Sequence, residues 1–491
     1  MRLCKTSVLF IHILAILLAC CACNLSEPSS VISSVATETV VQEDINETTD
    51  AKNERSTPFE NYIYRYEDNQ DHSWEEDIVY LARTFLENHP LICDTYYFEM
   101  RNYEANAASY LVNDNEFYDE VLRNTFINEI NLLLAAIPEM EDMEIQYELR
   151  RIVALLGDAH STVTTDIIEF FPLIVSALES EEEFAYYTVR IPIEHDSLLY
   201  SRLISINGIP LEEVIDLLSP YVSSENVYWE DYCIFDNFWN SLFIQKELLQ
   251  AAGVVADNSD TAEFAFITED GSVATVTLEA ISGQEYSSEN MARDDFYAKR
   301  ITMWEHPDKN YWYKFYPNEN ALYARISTCS EIGGYAFQTY CGEILDTLRT
   351  AEGSLKLIID LRGNTGGSYP MSGFEDFVAA LAKLTQHEVY ILIDNGVFSS
   401  GLGMAAKLSE TLPNAVMVGT PAGQPINMWG NPKYYTMPNS QLRFRVSEQY
   451  WKFAETMEAD ALVPNIIIYQ TLEDQKNGVD TVLEYVKALD E

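Results

Sequence analysis

The residues with the clearest potential for chemistry are two adjacent serines, Ser399 and Ser400, which follow an apolar run and open a helical pattern. A second small-residue turn, containing Gly366 and Gly367, follows an earlier apolar run. A serine hydroxyl becomes a nucleophile when a base takes its proton and N–H groups stabilise the oxyanion that forms. Glycine turns and helix starts both present such N–H groups. We therefore predict nucleophilic chemistry at Ser399, with Ser400 as the alternative nucleophile.

Several motifs in the same order resemble those of the carboxy-terminal-processing (tail-specific) and tricorn-like serine peptidases. They are Asp-Leu-Arg-Gly-Asn-Thr-Gly-Gly at 360–367, Phe-Ser-Ser-Gly at 398–401 and Asp-Ala-His-Ser at 158–161. The resemblance extends from about residue 74 to the last residue and is closest to the secreted branch that uses histidine as its base. It implies a serine-type peptidase that cleaves peptides or proteins without a cofactor.

The same resemblance assigns roles to individual residues. Ser399 would be the nucleophile and His160 its general base, because an unperturbed imidazole titrates near neutrality. The oxyanion would be held by N–H groups of Gly366, Gly367 and Ser400. Asp158 would orient either the loop or the imidazole, with the loop favoured. We also expect an arginine in the glycine turn, Arg362, to hold that turn by pairing with a carboxylate.

Two departures from the family pattern leave the activity open. Gln424 stands where the lysine-using branch has its base, and an amide cannot accept the serine proton. Glu458 matches by position the glutamate that completes the site in tricorn-like members, but the glycine and the Pro-Asp aspartate that follow it there are replaced. The alternative function is therefore a catalytically inactive family member that binds peptides or small apolar ligands.

The elements that must position these residues follow an α/β pattern. Apolar runs beginning at residues 321, 355, 389 and 416 alternate with helical patterns, which predicts a mainly parallel sheet covered by helices. The resemblance implies a crotonase/Clp-protease-like catalytic domain over residues 301–491. A helical region at 73–165 and a mixed, PDZ-like region at 166–300 precede it. Because Ser399 and His160 come from different regions, we expect the site at their interface.

The first 72 residues have the pattern of an export signal followed by a polar stretch, and not that of a folded domain. Residues 1–23 combine a basic start with an apolar run, and Leu-Leu-Ala-Cys at 17–20 has the pattern of a bacterial lipoprotein signal. Cys20 is the expected lipidation site, and Cys21 and Cys23 are alternatives. A plain secretory signal is the other interpretation, and both place the protein outside the cytoplasm, as a membrane-anchored lipoprotein or a secreted protein. Residues 24–72 are polar and predict a flexible stalk.

The net charge argues against nucleic-acid binding, and the spacing of the cysteines argues against a metal site. The formal net charge is −48, from 78 acidic and 30 basic residues, so a surface that neutralises the phosphates of a nucleic acid is not expected. Outside the leader the cysteines are Cys93, Cys233, Cys329 and Cys341, which have no metal-ligand spacing, so we expect no metal site. Whether Cys329 and Cys341 form a disulfide stays open.

Overall fold

The structure is a computed structural model that describes most of the chain beyond residue 72. The described ranges are 73–93, 98–102, 109–112, 117–167, 169–181, 183–236, 241–286, 291–293, 302–331, 333–369, 371–453 and 459–489. All of them belong to one compact unit, Ser56–Glu491. Cys20, the predicted signal and stalk at 1–72, and Glu458 lie outside the described residues.

The longer helices occupy stretches where apolar residues recur at helical spacing, and the shorter ones lie between strands or near the end of the chain. Their bounds are α1 Ser73–Asn88, α2 Glu120–Ala136, α3 Asp142–Ala154, α4 Leu211–Leu218, α5 Val227–Asp231, α6 Lys246–Ala251, α7 Gly283–Tyr286, α8 Phe337–Thr350, α9 Phe374–Leu381, α10 Ser400–Thr411, α11 Leu472–Asn477 and α12 Thr481–Ala488.

The strands form several sheets. Their bounds are β1 Phe98–Asn102, β2 Ser109–Val112, β3 Thr162–Val163, β4 Glu169–Phe170, β5 Ile174–Glu179, β6 Phe184–Pro192, β7 Arg202–Ile206, β8 Ile209–Pro210, β9 Thr261–Ile267, β10 Val273–Glu279, β11 Ile281–Ser282, β12 Met291–Arg293, β13 Tyr311–Tyr316, β14 Ala321–Ile326, β15 Lys356–Asp360, β16 Glu388–Ile393, β17 Val416–Gly419, β18 Asn427–Gly430, β19 Lys433–Thr436, β20 Arg443–Val446, β21 Gln449–Lys452 and β22 Ile466–Ile467.

The central sheet has six strands in the order β13-β14-β15-β16-β17-β22. The pair β13–β14 is antiparallel, and every other pair is parallel. Helices α8, α9 and α10 pack on one face through side chains such as Phe337, Phe374 and Met404, and α12 packs on the other through Val482 and Val486. Because both faces are covered, the parallel strands consist almost wholly of apolar residues. The α/β class is confirmed, while the crotonase-like subclass stays a prediction.

Two further layers flank the central sheet. An antiparallel sheet, β10-β9-β7-β6-β12 with β5 and β8 at its side, has its own apolar core together with α4 and α6. Asn207 and Gly208, both at positive φ, make the tight turn between β7 and β8. Helices α1, α2 and α3 form another core with Phe444 and Val446 of β20. The PDZ-like character of the middle region stays a prediction.

A buried ion cluster joins the central sheet to the last helix. Arg362, just after β15, donates to Asp360 at 2.6 Å and to Asp480 at 2.7 Å, and it contacts both carboxylates through two nitrogens. Asp480 is also the N-cap of α12, where it accepts the Leu483 N–H at 3.0 Å. The expected pairing of Arg362 with a carboxylate is confirmed, and it holds the turn that carries the glycines.

Candidate active site

Three adjacent parallel strands end at the same edge of the central sheet, and each leads into a turn of the site. The turn after β15 contains Gly366 and Gly367, the turn after β16 contains Ser399, and the turn after β17 contains Gln424. Parallel strands bring their carboxyl ends together, and α/β proteins place ligands there. Strand order therefore puts these residues side by side although they are far apart in the chain.

Ser399 has a strained backbone. Its φ is +52° and its ψ is −126°, outside the regions that a residue with a side chain normally occupies. Such a conformation costs about 1–3 kcal/mol and is typical of functional sites. A serine on a sharp strand-to-helix turn presents its hydroxyl away from the backbone, as nucleophilic serines do in other α/β enzymes. Ser399 therefore has the backbone geometry of an exposed nucleophile.

His160 reaches Ser399 from the helical region. Its Nε2 lies 2.9 Å from the Oγ of Ser399, a hydrogen-bond distance, although 239 positions separate the two residues. The histidine lies in the loop between α3 and β3, and β3 pairs with β20. The structure thus brings together the two residues that the sequence motifs single out.

Asp158 holds the loop of His160 rather than its ring. One carboxylate oxygen accepts the His160 backbone N–H at 2.9 Å. The other accepts the Ser161 hydroxyl at 2.6 Å and lies 3.1 Å from Nε2 of His89. Burial alone would raise the pKa of Asp158, but the contact with His89, the imidazole of His160 and the Ser161 hydrogen bond together lower the pKa well below its usual range. Asp158 is therefore an ionised anchor for this loop.

Two backbone amides can serve as oxyanion donors. The N–H of Gly366 donates to the Asn364 side chain at 3.0 Å and is therefore already engaged. The N–H groups of Gly367 and Ser400 have no hydrogen-bond partner within the described ranges. The Ser400 hydroxyl donates to the Gly367 carbonyl at 2.7 Å, so this side chain ties the two turns together. Of the three residues predicted to hold the oxyanion, Gly367 and Ser400 have amides that face no competing acceptor.

Gln424 contacts both Ser399 and His160. Its Oε1 accepts the Ser399 backbone N–H at 2.7 Å. Because a backbone amide can only donate, this contact fixes which end of the side chain is oxygen. The Nε2 then lies 3.3 Å from Nδ1 of His160 and donates to Glu225 at 2.9 Å. Gln424 therefore braces the strained serine backbone.

Glu225 lies behind Gln424 and is partly buried. Burial, reinforced by the charge of Asp158, raises the pKa of Glu225 well above its usual value, which favours the neutral carboxyl group. Its Oε1 is buried and has no hydrogen-bond partner among the residues that the structure describes. Glu225 therefore holds the Gln424 side chain that contacts both Ser399 and His160.

An aromatic stack covers the other side of His160. The Phe398 ring stacks on the imidazole with a centroid separation of 4.6 Å, and Trp229 stacks on Phe398 at 3.9 Å. Burial, together with nearby Arg445, lowers the pKa of His160 to about 4, against the raising effects of Asp158 and of a hydrogen bond with the backbone of Trp429. The ring is therefore neutral at pH 7 and able to accept a proton.

A cavity of about 350 Å³ opens beside Ser399 and His160. Its lining includes Tyr369, Met428, Trp451 and Phe453. A cleft of this size is typical of a small-ligand or peptide side-chain site. The described residues contain no group of three or more His, Cys, Asp or Glu that could hold a metal ion.

The sequence motifs did not reveal three contributors to this site. His89 contacts Asp158, Glu225 anchors Gln424, and Trp229 stacks on Phe398. Each lies in a different element from its partner, and none stands in a pattern that separates it from an ordinary core residue. None of Cys93, Cys233, Cys329 and Cys341 forms a disulfide, so the open question of a Cys329–Cys341 disulfide is answered in the negative.

Comparison with known proteins gives a result only at the level of structure. No protein-family model matches the chain, and no curated protein matches it in sequence. The crystal structure of mature CPAF superposes with a TM-score of 0.52 at 13% identity, covering 85% of this chain and 96% of that one. Mature CPAF complexed with lactacystin gives a TM-score of 0.53 at 12% identity, with coverages of 84% and 97%.

The chain has the fold of CPAF. The likeness to CPAF covers nearly the whole of that protein and most of the described part of this chain, so the α/β core and its flanking layers are both included. The photosystem II D1 C-terminal processing protease also matches, but its TM-score of 0.37 is too low to carry an argument. At 13% identity the similarity to CPAF establishes a shared architecture, and the chemistry has to be argued from the site itself.

Proposed function

We propose that the protein is a serine peptidase in which Ser399 attacks the peptide carbonyl and His160 accepts the serine proton. The observation that carries this proposal is the 2.9 Å contact between His160 Nε2 and the Oγ of a serine whose backbone is strained. A structural serine at a helix start needs neither the strain nor the histidine. The substrate is a peptide or protein, and the chemistry requires no cofactor.

The reaction follows from the positions of the groups. Ser399 Oγ bonds to the carbonyl carbon while its proton passes to Nε2 of His160. The oxygen of the tetrahedral intermediate accepts hydrogen bonds from the Gly367 and Ser400 amides. His160 then returns the proton to the departing amine, and water, activated by the same histidine, hydrolyses the acyl-enzyme.

The reaction also requires a particular tautomer of His160. Nε2 can accept the proton only if the imidazole carries its hydrogen on Nδ1. The imidazole has a hydrogen bond with the Trp429 backbone, and in this tautomer the Gln424 amide donates to Glu225 rather than to Nδ1. Gln424 and Glu225 therefore act as positioning residues that fix the serine backbone and the space around Nδ1. Glu458, which the sequence resemblance offers as the third residue, stays a prediction.

A fluorophosphonate probe tests the nucleophile directly. The wild-type protein should be labelled at Ser399, and Ser399→Ala should abolish labelling while Ser400→Ala should retain it. Ser400 is the matched control because it is the adjacent serine and its hydroxyl is bound to Gly367. If wild type is not labelled and does not cleave peptides, the protein is instead a binding protein that retains the fold of a peptidase.

A double-mutant comparison tests the pair. If Ser399 and His160 act as one unit, losing either should lower kcat by several powers of ten, and losing both should cost little more. The measurement is kcat/KM on a casein-derived peptide for Ser399→Ala, His160→Ala and the double variant. A His160→Ala enzyme with wild-type turnover would show that another group is the base.

We propose further that the protein is anchored at the outer face of a membrane through Cys20, or is secreted if the leader is cut without lipidation. The supporting pattern is the Leu-Leu-Ala-Cys sequence at 17–20. Within the part of the chain that the structure describes, no helix has the length and apolar character needed to span a membrane. Radiolabelled palmitate should be incorporated into wild type and not into Cys20→Ala. Labelling that persists in this variant would move the site to Cys21 or Cys23.

A further inference from the structure

A second cavity, of about 460 Å³, lies between the helical region, the loop after His160 and β20. Its lining contains three arginines, Arg150, Arg443 and Arg445, and no aspartate or glutamate. The whole chain has 30 basic and 78 acidic residues, so a cavity with this composition runs against the charge of the molecule. This concentration of guanidinium groups indicates a site for an anion.

The arginines lack acidic partners. Arg150 donates its Nε to the Tyr221 carbonyl at 2.8 Å, and Arg445 donates to the Thr162 hydroxyl at 3.0 Å and to the Ala159 carbonyl at 3.3 Å. These acceptors are all neutral. Arg443 lies over the Tyr434 ring, 5.6 Å from its centroid. Within the described ranges none of the three forms a salt bridge, so each keeps donors for a ligand.

The burial of Arg150 also supports an anion site in this cavity. Removal from water lowers the pKa of this guanidinium, and no carboxylate is among the groups that offset the effect. A guanidinium in such surroundings is stabilised when an anion arrives, because the Coulomb attraction is weakly screened there. Arg445 is in addition pre-organised by its two hydrogen bonds, which reduces the entropy lost on binding.

The remaining lining decides which anion fits. The lining also includes the apolar residues Ile167 and Leu242, with Thr164 and Tyr434 beside them. A bare inorganic ion would leave the apolar wall exposed and most of the volume unfilled. We propose that this cavity binds a monocarboxylate with an apolar body, of about the size of an acylated amino acid. The carboxylate would contact the arginines, and the apolar body would cover Ile167 and Leu242.

The site is separate from the catalytic cavity, and its ligand needs no reaction at Ser399. Its wall is nevertheless part of the segment that carries His160, because Arg445 bonds to Ala159 and Thr162 on either side of that histidine. Binding can therefore be measured in a protein that cannot turn over. This keeps failure of the carboxylate site distinct from failure of the proposed peptidase activity.

The test is a ligand-detected NMR titration of the full chain carrying Ser399→Ala. The probes are N-acetyl-leucine, its amide and inorganic phosphate. N-acetyl-leucine should bind saturably, with a Kd of roughly millimolar or tighter. The amide should bind at least about tenfold more weakly because it cannot accept two charge-assisted hydrogen bonds from a guanidinium. Equal binding of acid and amide, no binding of the acid, or binding of phosphate alone would overturn the proposal.

Two variants locate the binding. Arg443 is exposed, so Arg443→Gln should fold normally, and it should weaken binding of N-acetyl-leucine at least about fivefold. Arg349→Gln is the matched control, since this exposed arginine on α8 pairs with Asp346 at 3.2 Å, has no other ion pair among the described residues, and is not part of the cavity. Binding that Arg443→Gln leaves unchanged, or that Arg349→Gln weakens equally, would contradict the assignment. Thermal unfolding of each variant checks that the fold is intact.

Discussion

At the scale of single residues, the environment of His160 decides how the proposed base works. An exposed imidazole would titrate near pH 6.5, and this one is moved to about 4 by burial beneath Phe398. The neutral ring is then the dominant form over the whole physiological range. Its basicity is lower than that of a free imidazole, so the reaction depends on the oxyanion donors and on exact placement of the serine.

The first prediction concerns the pH dependence. Because only the neutral ring accepts a proton, kcat/KM should rise as the pH increases through about 4 and be nearly flat between about pH 6 and 8. The measurement is kcat/KM on one peptide over that range, with circular dichroism at each pH to exclude unfolding. A midpoint near 6.5 would mean that His160 is more hydrated in solution than in this structure.

The second prediction concerns Gln424. Gln424→Leu keeps the size of the side chain but leaves the buried Ser399 N–H without its acceptor, which should lower kcat by roughly tenfold to a hundredfold with little change in KM. Glu225→Gln is the conservative comparison and should lose less, because its amide oxygen still accepts from Gln424. An equal loss in the two variants, or a loss confined to KM, would argue against positioning of the nucleophile.

At the scale of elements, the site is built from the ends of β15, β16 and β17, with one loop added from the helical region. The close approach of the turns demands glycine. A Cβ on Gly366, whose φ is +103°, would lie 2.8 Å from the Ser399 Cβ and 2.9 Å from the Ser400 nitrogen. Glycine at this position therefore allows the turn after β15 to contact the turn that carries Ser399, and any side chain there would push the two turns apart.

The third prediction tests the buried ion cluster of Arg362, Asp360 and Asp480, which holds the turn after β15. Asp480→Asn keeps an N-cap residue at α12 but removes the charge facing Arg362, and should lower the free energy of unfolding by about 1–3 kcal/mol. Asp346→Asn is the control, because its pair with Arg349 is exposed and should contribute less than about 1 kcal/mol. Denaturant midpoints at constant m-value give both numbers, and equal effects would show that burial adds nothing to the Arg362 pair.

At the scale of the whole molecule, the dominant quantity is the net charge of −48. Like charges at this density repel one another in the compact state and keep the protein soluble. They also make the cavity with three arginines unusual, because anions are repelled from most of the remaining surface. The proposed carboxylate therefore has to be selected by local guanidinium contacts rather than attracted over long distances.

The fourth prediction follows from this repulsion. Raising NaCl from about 10 mM to 150 mM shortens the screening length from about 30 Å to 8 Å and should raise Tm by a few degrees Celsius. Sucrose of equal osmolality is the control for solute effects that do not involve charge. A Tm that stays constant or falls with salt would mean that local ion pairs such as that of Arg362 outweigh the general repulsion.

The sequence by itself was sufficient for features that depend on neighbouring residues. Apolar runs of five or six residues bounded by glycine turns predicted β15 and β16, and the alternation with helical patterns predicted the α/β class, because burial on both faces leaves that signature in the chain. The motifs around Ser399 and His160 also indicated the two residues that lie 2.9 Å apart.

Only the tertiary structure decided what surrounds that pair. Gln424, which the sequence presents as a missing lysine, turns out to brace the Ser399 backbone, and Glu225 anchors it from 199 positions away. The pKa of His160, the engagement of the Gly366 amide and the cavity of three arginines likewise depend on contacts between distant segments. Composition and periodicity indicate which face of a segment is buried and which is exposed. Hydrogen-bond partners and pKa values depend instead on which distant segments the fold brings together.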